Sequence, residues 1–306
     1  MRLVYMGTPQ FAVPTLSALS EAGHDIALVI SQPDRPKGRG LKLLPPPVKV
    51  RAAELGIEVY QPEKVRLPEA VERIRQAGPD AIVVAAFGQI LPKSVLDIPP
   101  MGCFNVHASL LPAYRGAAPI NWCIVNGDAV TGVTIMKMDP GMDTGDMLLK
   151  AEEPILPDDT AGSLTDRLSA LGAGLIVKAL DGLDGLVPEK QDSASATYAP
   201  MLKKETGLID WTRPAVEIER LVRGLDPWPG AYSASAGGIM KIWGASALPD
   251  SSDMEPGKVV SAGKDGVVVA AGSGSLLITE LQGPGGRRMK AADYMAGHKL
   301  TAGERF

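Results

Sequence analysis

The chain has 306 residues, 45% of them apolar, and a formal net charge of -4, as expected of an ordinary globular protein with room for two domains. No apolar run approaches the ~18 residues a membrane span needs, and the opening MRLVYMG lacks the apolar segment and processing site of a signal peptide. Two cysteines cannot make a disulfide framework, and three histidines argue against structural zinc, so the expectation is a cytoplasmic protein with reduced thiols and no bound metal.

Short apolar runs rich in Val and Ile at 3–6, 26–30, 81–86 and 103–106 read as strands, with helical stretches such as 15–22 and 68–76 between them. That alternation predicts βαβ units in a Rossmann-like, doubly wound, mostly parallel sheet. MGTPQFAVPTL follows the first strand, where a dinucleotide fingerprint would sit. It has a single glycine, Gly7, and two prolines, so the Gly-x-Gly-x-x-Gly pattern is absent, and the chain has no phosphate-binding P-loop. Residues 31–51, SQPDRPKGRGLKLLPPPVKVR, set Arg35, Lys37, Arg39, Lys42, Lys49 and Arg51 against Asp34 alone. In an acidic protein this is concentrated positive charge, suited to a polyanion, on a loop that Pro stiffens and Gly38 and Gly40 leave flexible at the tip.

The fourth strand runs into FNVHASLLPAYRG. Residues two apart on a strand share a face, so Asn105 and His107 project together from its carboxyl end, where ligands bind in open α/β sheets. Alone, the pair is better read as a packed core histidine beside a turn residue. Two further strands, 131–138 and 145–153, flank a loop carrying Asp139, Asp143 and Asp146. A carboxylate there can orient the imidazole and take a proton, while an amide donates to an oxyanion; acyl or formyl transfer to an amine needs these groups. The loop lacks the ligand ladder and closing Glu of an EF-hand. Ser109 has no nucleophile elbow and Cys103 lies inside an apolar strand, so direct transfer is favoured over a covalent intermediate.

A long helix follows from about residue 158, and after about 185 the texture turns polar. The expected division is a catalytic domain at 1–189, a linker at 190–206 and a C-terminal domain at 207–306. In that last part a helix opened by Thr212 and Pro214 and stopped at Gly224 precedes five short strand candidates, a pattern that predicts a small OB-like β-barrel. No heptad or broad apolar stripe is evident, so a monomer is expected.

Asn105, His107, SLLP at 109–112 and DTGD at 143–146 resemble the folate-dependent formyltransferases. GTPQFAVPTL, QPDRPKGRG, SLLPAYRGAAPI, TGVTIMKMDPGMDTGDM and DPWPGAY extend the resemblance over essentially the whole chain, toward those members that act on methionyl initiator tRNA. Ala113 departs from the pattern, standing where many relatives carry a basic residue. The resemblance implies formyl transfer from 10-formyltetrahydrofolate to the α-amine of methionine on that tRNA, with Asn105, His107 and Asp143 catalytic. It implies Ser109, Leu110, Leu111 and Pro112 in folate binding, with AAFGQILP at 85–92 a second candidate wall. The basic loop would reach the acceptor end of the tRNA with Arg39 at the matching arginine, alongside Arg35, Lys37 and Lys42. Acid and base balance in the C-terminal part, where Lys203, Lys204, Arg220, Arg223, Arg287, Arg288 and Lys290 are the cationic candidates and Trp211, Trp228 and Trp243 are read as packing. The same three catalytic residues would serve a sugar-nucleotide amine as acceptor, so the choice of tRNA rests on the loop and the barrel.

Overall fold

Residues 2–7, RLVYMG, are buried from Leu3 onward, as a strand covered on both faces by helices requires. The computed structural model describes residues 1–37, 42–235, 238–250, 252–298 and 300–306. The chain forms two compact units. The first comprises Met1–Pro119, Val130–Pro154 and Thr165–Ala199; the second comprises Ile120–Ala129, Ile155–Leu164 and Pro200–Phe306.

Strands of the first unit are β1 (Arg2–Gly7), β2 (Asp25–Ile30), β3 (Arg35–Lys37), β4 (Lys42–Leu44), β5 (Val59–Tyr60), β6 (Ala81–Ala85), β7 (Cys103–His107), β8 (Arg115–Gly116), β9 (Val130–Lys137), β10 (Met147–Pro154) and β11 (Tyr198–Ala199). Helices in chain order are α1 (Val13–Glu21), α2 (Pro47–Glu54), α3 (Pro68–Ala77), α4 (Lys93–Leu96), α5 (Pro119–Asn126) and α6 (Ala161–Asp181). The main sheet has the order β10-β9-β7-β6-β1-β2-β5. The five strands from β7 to β5 are parallel, while β9 runs antiparallel to both β7 and β10. The expected mostly parallel, Rossmann-like sheet is present. From β1 the chain winds outward through β2 and β5, then returns to β6 on the other side, so the connections diverge at the carboxyl ends of β1 and β6.

Helix α3 shows how the sequence builds the layers. Ala70, Val71, Ile74 and Ala77 are buried at helical spacing, and Gly78 closes the helix in the left-handed region at φ 60°. The basic segment differs from the expected loop: β3 and β4 pair as an antiparallel hairpin, and α2 begins at Pro47. Proline at a first helical position supplies the right φ and loses no hydrogen bond, so PPP opens a helix here. Helix α6 packs directly against the strands that bear the candidate site. A Cβ on Gly172 would lie 2.6 Å from Val106 Cγ1 and 3.4 Å from Val133 Cγ1.

In the second unit, α7 (Ala215–Gly224) spans the predicted helix. The strands are β12 (Ala231–Ser235), β13 (Gly238–Leu248), β14 (Val259–Gly263), β15 (Gly266–Ala270), β16 (Ser275–Gln282) and β17 (Met289–Lys290), followed by α8 (Ala291–Gly297). They form an antiparallel sheet ordered β12-β13-β16-β15-β14, with β17 also on β16. Ile218, Val222, Ile242, Val267, Leu276, Ile278 and Phe306 share its core. Trp211 packs edge-on against Phe306 with ring centroids 6.0 Å apart. Trp243 is half-buried beneath the Lys241 and Arg288 cations, at 5.2 and 5.4 Å. Trp228 differs from the packing role expected of it: it is 54% exposed.

Gly172→Ala should test the contact between α6 and the sheet. Alanine ordinarily favours a helix interior by about 1 kcal/mol over glycine. Here the added methyl overlaps a stiff valine, and overpacking should instead destabilise the fold by about 1–3 kcal/mol in chemical denaturation. A stabilised variant would contradict the packing.

Candidate active site

Asn105 and His107 stand at the carboxyl end of β7, held in register between Val84 of β6 and Met136 and Thr134 of β9. Two later elements of the chain converge there. Asp143 arrives on the loop between β9 and β10, and Gly116 on the short strand after the 109–113 turn. Asn105 Nδ2 donates to Asp143 Oδ1 at 3.4 Å, and His107 Nδ1 lies 3.7 Å from the same oxygen. The Gly116 N–H donates to Asp143 Oδ2 at 2.9 Å. The His107 side chain is 6% exposed and that of Asp143 17%, so the carboxylate is the more accessible of the two.

The imidazole's tautomer follows from its other partner. His107 Nε2 lies 3.0 Å from the Tyr114 carbonyl oxygen. A carbonyl only accepts, so Nε2 carries the proton. Nδ1 of the neutral ring is then an acceptor facing a second acceptor, Asp143 Oδ1.

Asp143 itself has φ 52°, in the left-handed region that residues other than glycine adopt uncommonly and Asp and Asn more readily than most. The Gln191 Nε2 group donates to Asp143 O at 2.8 Å and Gly145 O at 2.7 Å, and its Oε1 accepts from Arg115 Nε at 2.9 Å. Arg115 is 3% exposed. Asp139 closes the start of the same loop, accepting from Gly141 N and from Thr144 Oγ1 at 2.9 and 2.7 Å. Gln191, Gly116 and the Tyr114 carbonyl were missed in the sequence. Gln191 lies in a polar stretch with no pattern, and backbone groups carry no residue signal.

In the turn of residues 109–112, Ser109 is fully buried and its Oγ donates to Ala113 O at 2.5 Å. Thr134 Oγ1 donates to Ser109 O at 2.7 Å and accepts from Leu111 N at 3.0 Å. Leu111 joins Met136 and Met147 in a small buried cluster, whereas Leu110 and Pro112 are half-buried. At the neighbouring strand end, Ala86 takes φ 44° and Gly88 φ 84°, and the Phe87 carbonyl accepts from Thr8 Oγ1 at 2.9 Å. Cys103 is buried, which pushes its thiol up to about 12, so it supplies no thiolate nucleophile.

Among the basic residues of 31–51, Arg35 pairs with Glu63 at 2.9 Å, Lys49 with Asp34 at 2.8 Å and Arg51 with Glu54 at 3.0 Å. Lys37 and Lys42 face each other across the hairpin register. Arg39 lies outside the described residues. In the second unit, Arg223 pairs with Glu219, and Arg288 with Asp226 and Glu280. Among the described residues no group of three or more His, Cys, Asp or Glu could hold a metal ion, and no helix is long and apolar enough to cross a membrane.

The family model described as formyl transferase matches residues 1–180, and that of the formyl transferase C-terminal domain matches 201–299. A methionyl-tRNA formyltransferase of Citrifermentans bemidjiense is 58% identical over 99% of this chain and 95% of its own length. Another of that name from Geobacter metallireducens is 56% identical over 100% and 98%. Among solved structures, a methionyl-tRNA formyltransferase from Clostridium thermocellum superposes with a TM-score of 0.59 at 19% identity, over 80% of this chain and 93% of that one. At that identity the last likeness shows the fold alone.

Thr134→Val removes both ends of the bond pair that ties the 109–111 turn to β9. It leaves the Leu111 N–H buried without an acceptor, so stability should fall by about 1–3 kcal/mol in denaturant titration. An unchanged midpoint would mean that the turn is held by other contacts.

Proposed function

Because the chain belongs to the methionyl-tRNA formyltransferase family, we propose that it moves a formyl group from 10-formyltetrahydrofolate to the α-amine of methionine on initiator tRNA, giving N-formylmethionyl-tRNA for translation initiation. The observation that carries the site assignment is the meeting of the Asn105 amide and the His107 imidazole on one oxygen of Asp143. The first unit is the catalytic domain of this reading and the second assists in holding tRNA. The enzyme acts as a monomer in the cytoplasm, where its charged tRNA substrate is made and used.

Each residue has a task set by its chemistry. The amine nitrogen attacks the formyl carbon, and charge develops on the formyl oxygen, where the Asn105 N–H groups are the donors. The amine must lose a proton as its new C–N bond forms. His107 Nδ1 and Asp143 Oδ1, two acceptors across one gap, receive that proton between them. The bond from the formyl carbon to the donor nitrogen then breaks, and the same proton passes to that nitrogen. No covalent enzyme intermediate is required, since the buried Cys103 thiol stays protonated. The apolar part of the folate rests near Leu110 and Pro112, above the buried Leu111–Met136–Met147 cluster. Ser109 and Leu111 support that surface from beneath.

The tRNA is held by cations of the basic segment, Arg35, Lys37, Arg39 and Lys42, of which Arg35 also pairs with Glu63. Arg287 and Lys290 are exposed on the second unit and pair with no acid among the described residues. They are the further candidates there.

Asn105→Ala, His107→Ala and Asp143→Asn should each lower kcat for formylation of methionyl initiator tRNA by about 100-fold or more, with circular dichroism unchanged. Near-normal turnover in all three would sink the site assignment, and faster formylation of a sugar-nucleotide amine run in parallel would overturn the choice of acceptor. Arg39→Ala should raise KM for tRNA by about 10-fold and flatten its salt dependence, leaving KM for the folate donor unchanged. Loss of both substrates together would count against a dedicated RNA contact.

A further inference from the structure

Residues 190–206, expected as a linker, divide between the two units at Ala199, and the part before that point is built onto the site. Glu189 and Met147 exchange backbone hydrogen bonds of 2.8 Å in both directions. Thr197 O accepts from Arg115 N at 2.9 Å, and Thr197 Oγ1 accepts from Tyr114 N at 2.9 Å. Tyr198 and Ala199, as β11, pair with β8. Residues 189–199 are therefore a strap fastened at one end to β10, which follows the Asp143 loop, and at the other to β8, which bears Gly116. Gln191 lies within it, and its amide is committed on both sides. A guanidinium only donates, so Oε1 must face Arg115 and Nε2 must face the two carbonyls of Asp143 and Gly145.

We infer that Gln191 is a positioning residue for formyl transfer, holding Asp143 in its left-handed conformation while Arg115 fixes the orientation of the Gln191 amide. The inference rests on the catalytic reading of Asp143. Three observations carry it. Asp143 sits at φ 52°, an uncommon conformation for a residue with a Cβ, and Gln191 Nε2 holds its carbonyl together with that of Gly145, two residues on. Asn105 and His107 meet the carboxylate only at 3.4 and 3.7 Å, too loosely to fix it. The tight contact, from Gly116 N at 2.9 Å, comes from the residue next to Arg115. Gln191 thus links the loop that brings the acid to the strand that brings its donor, and it sets the distance between them. A carboxylate displaced by even about 1 Å costs on the order of 100-fold in rate.

The test is a double-mutant cycle in steady-state formyl-transfer assays. Gln191→Met keeps the length and loses all three bonds. Gln191→Glu keeps an acceptor for Arg115 and turns a second acceptor toward the two carbonyls. Each should lower kcat by about 10–100-fold and change KM for 10-formyltetrahydrofolate by less than about 2-fold. In an Asp143→Asn background the same substitutions should cost less than about 2-fold, because no carboxylate remains to be positioned. Effects that multiply across the cycle, or a change confined to KM, would overturn the inference. So would failure of both Gln191 variants to fold, which would assign the residue to the fold alone. If Asp143→Asn itself leaves turnover intact, the site reading fails; if it slows turnover while Gln191→Met is as fast as the parent chain, only the role of Gln191 fails.

Discussion

One oxygen of a loop carboxylate, Asp143 Oδ1, faces both the Asn105 amide and the His107 imidazole, and much of the first unit's hydrogen bonding holds that meeting in place. Strand β7 provides the fixed reference. It lies between β6 and β9 in the main sheet, and Val106, between the two polar residues, points to the opposite face against α6. A central strand pinned on both edges and on its back can present Asn105 and His107 with little freedom. Asp143 has no such support of its own, because it comes from a loop.

Holding a loop carboxylate to a strand explains several features that have no role as isolated contacts. The Tyr114 carbonyl fixes the proton of His107 on Nε2 and leaves Nδ1 facing Asp143. Thr134, a buried hydroxyl on β9, uses its oxygen both as donor and as acceptor to hold the turn after β7. Arg115 is almost wholly buried, and among the described residues its Nη2 has no partner. Burying a guanidinium is costly unless its bonds are placed, and among the described residues its Nε donates to Gln191. These groups are reached through short hydrogen bonds in sequence-distant pieces of the first unit, which makes the site sensitive to residues that never touch the substrates.

The second unit follows a different logic. Its sheet and its helix α7 bury an apolar core, while several of its cations are spent on neighbouring acids. Acids and bases are equal in number over this part of the chain, and an RNA-binding role has to be sought in the few exposed cations left over. The same holds for the hairpin β3–β4, where local pairing neutralises the flanking cations.

Periodicity in the sequence was enough to place nearly every main strand and long helix, because buried strands and amphipathic helices advertise themselves in apolar spacing. Asn105 and His107 could be put on one face of one strand for the same reason, and residue types in the loop after β9 pointed to a carboxylate. The hairpin at 35–44 and helix α2 could not be read, since proline and clustered charge mask the pattern that would mark them. The sequence by itself determined which chemical groups the site has and the sheet that bears them. Only the tertiary structure decided that Asp143, and not Asp139, reaches the pair, and that Gly116, Tyr114 and Gln191 fix its geometry. Those choices depend on backbone N–H and C=O groups and on contacts across 27 to 48 positions of sequence, which no local pattern encodes.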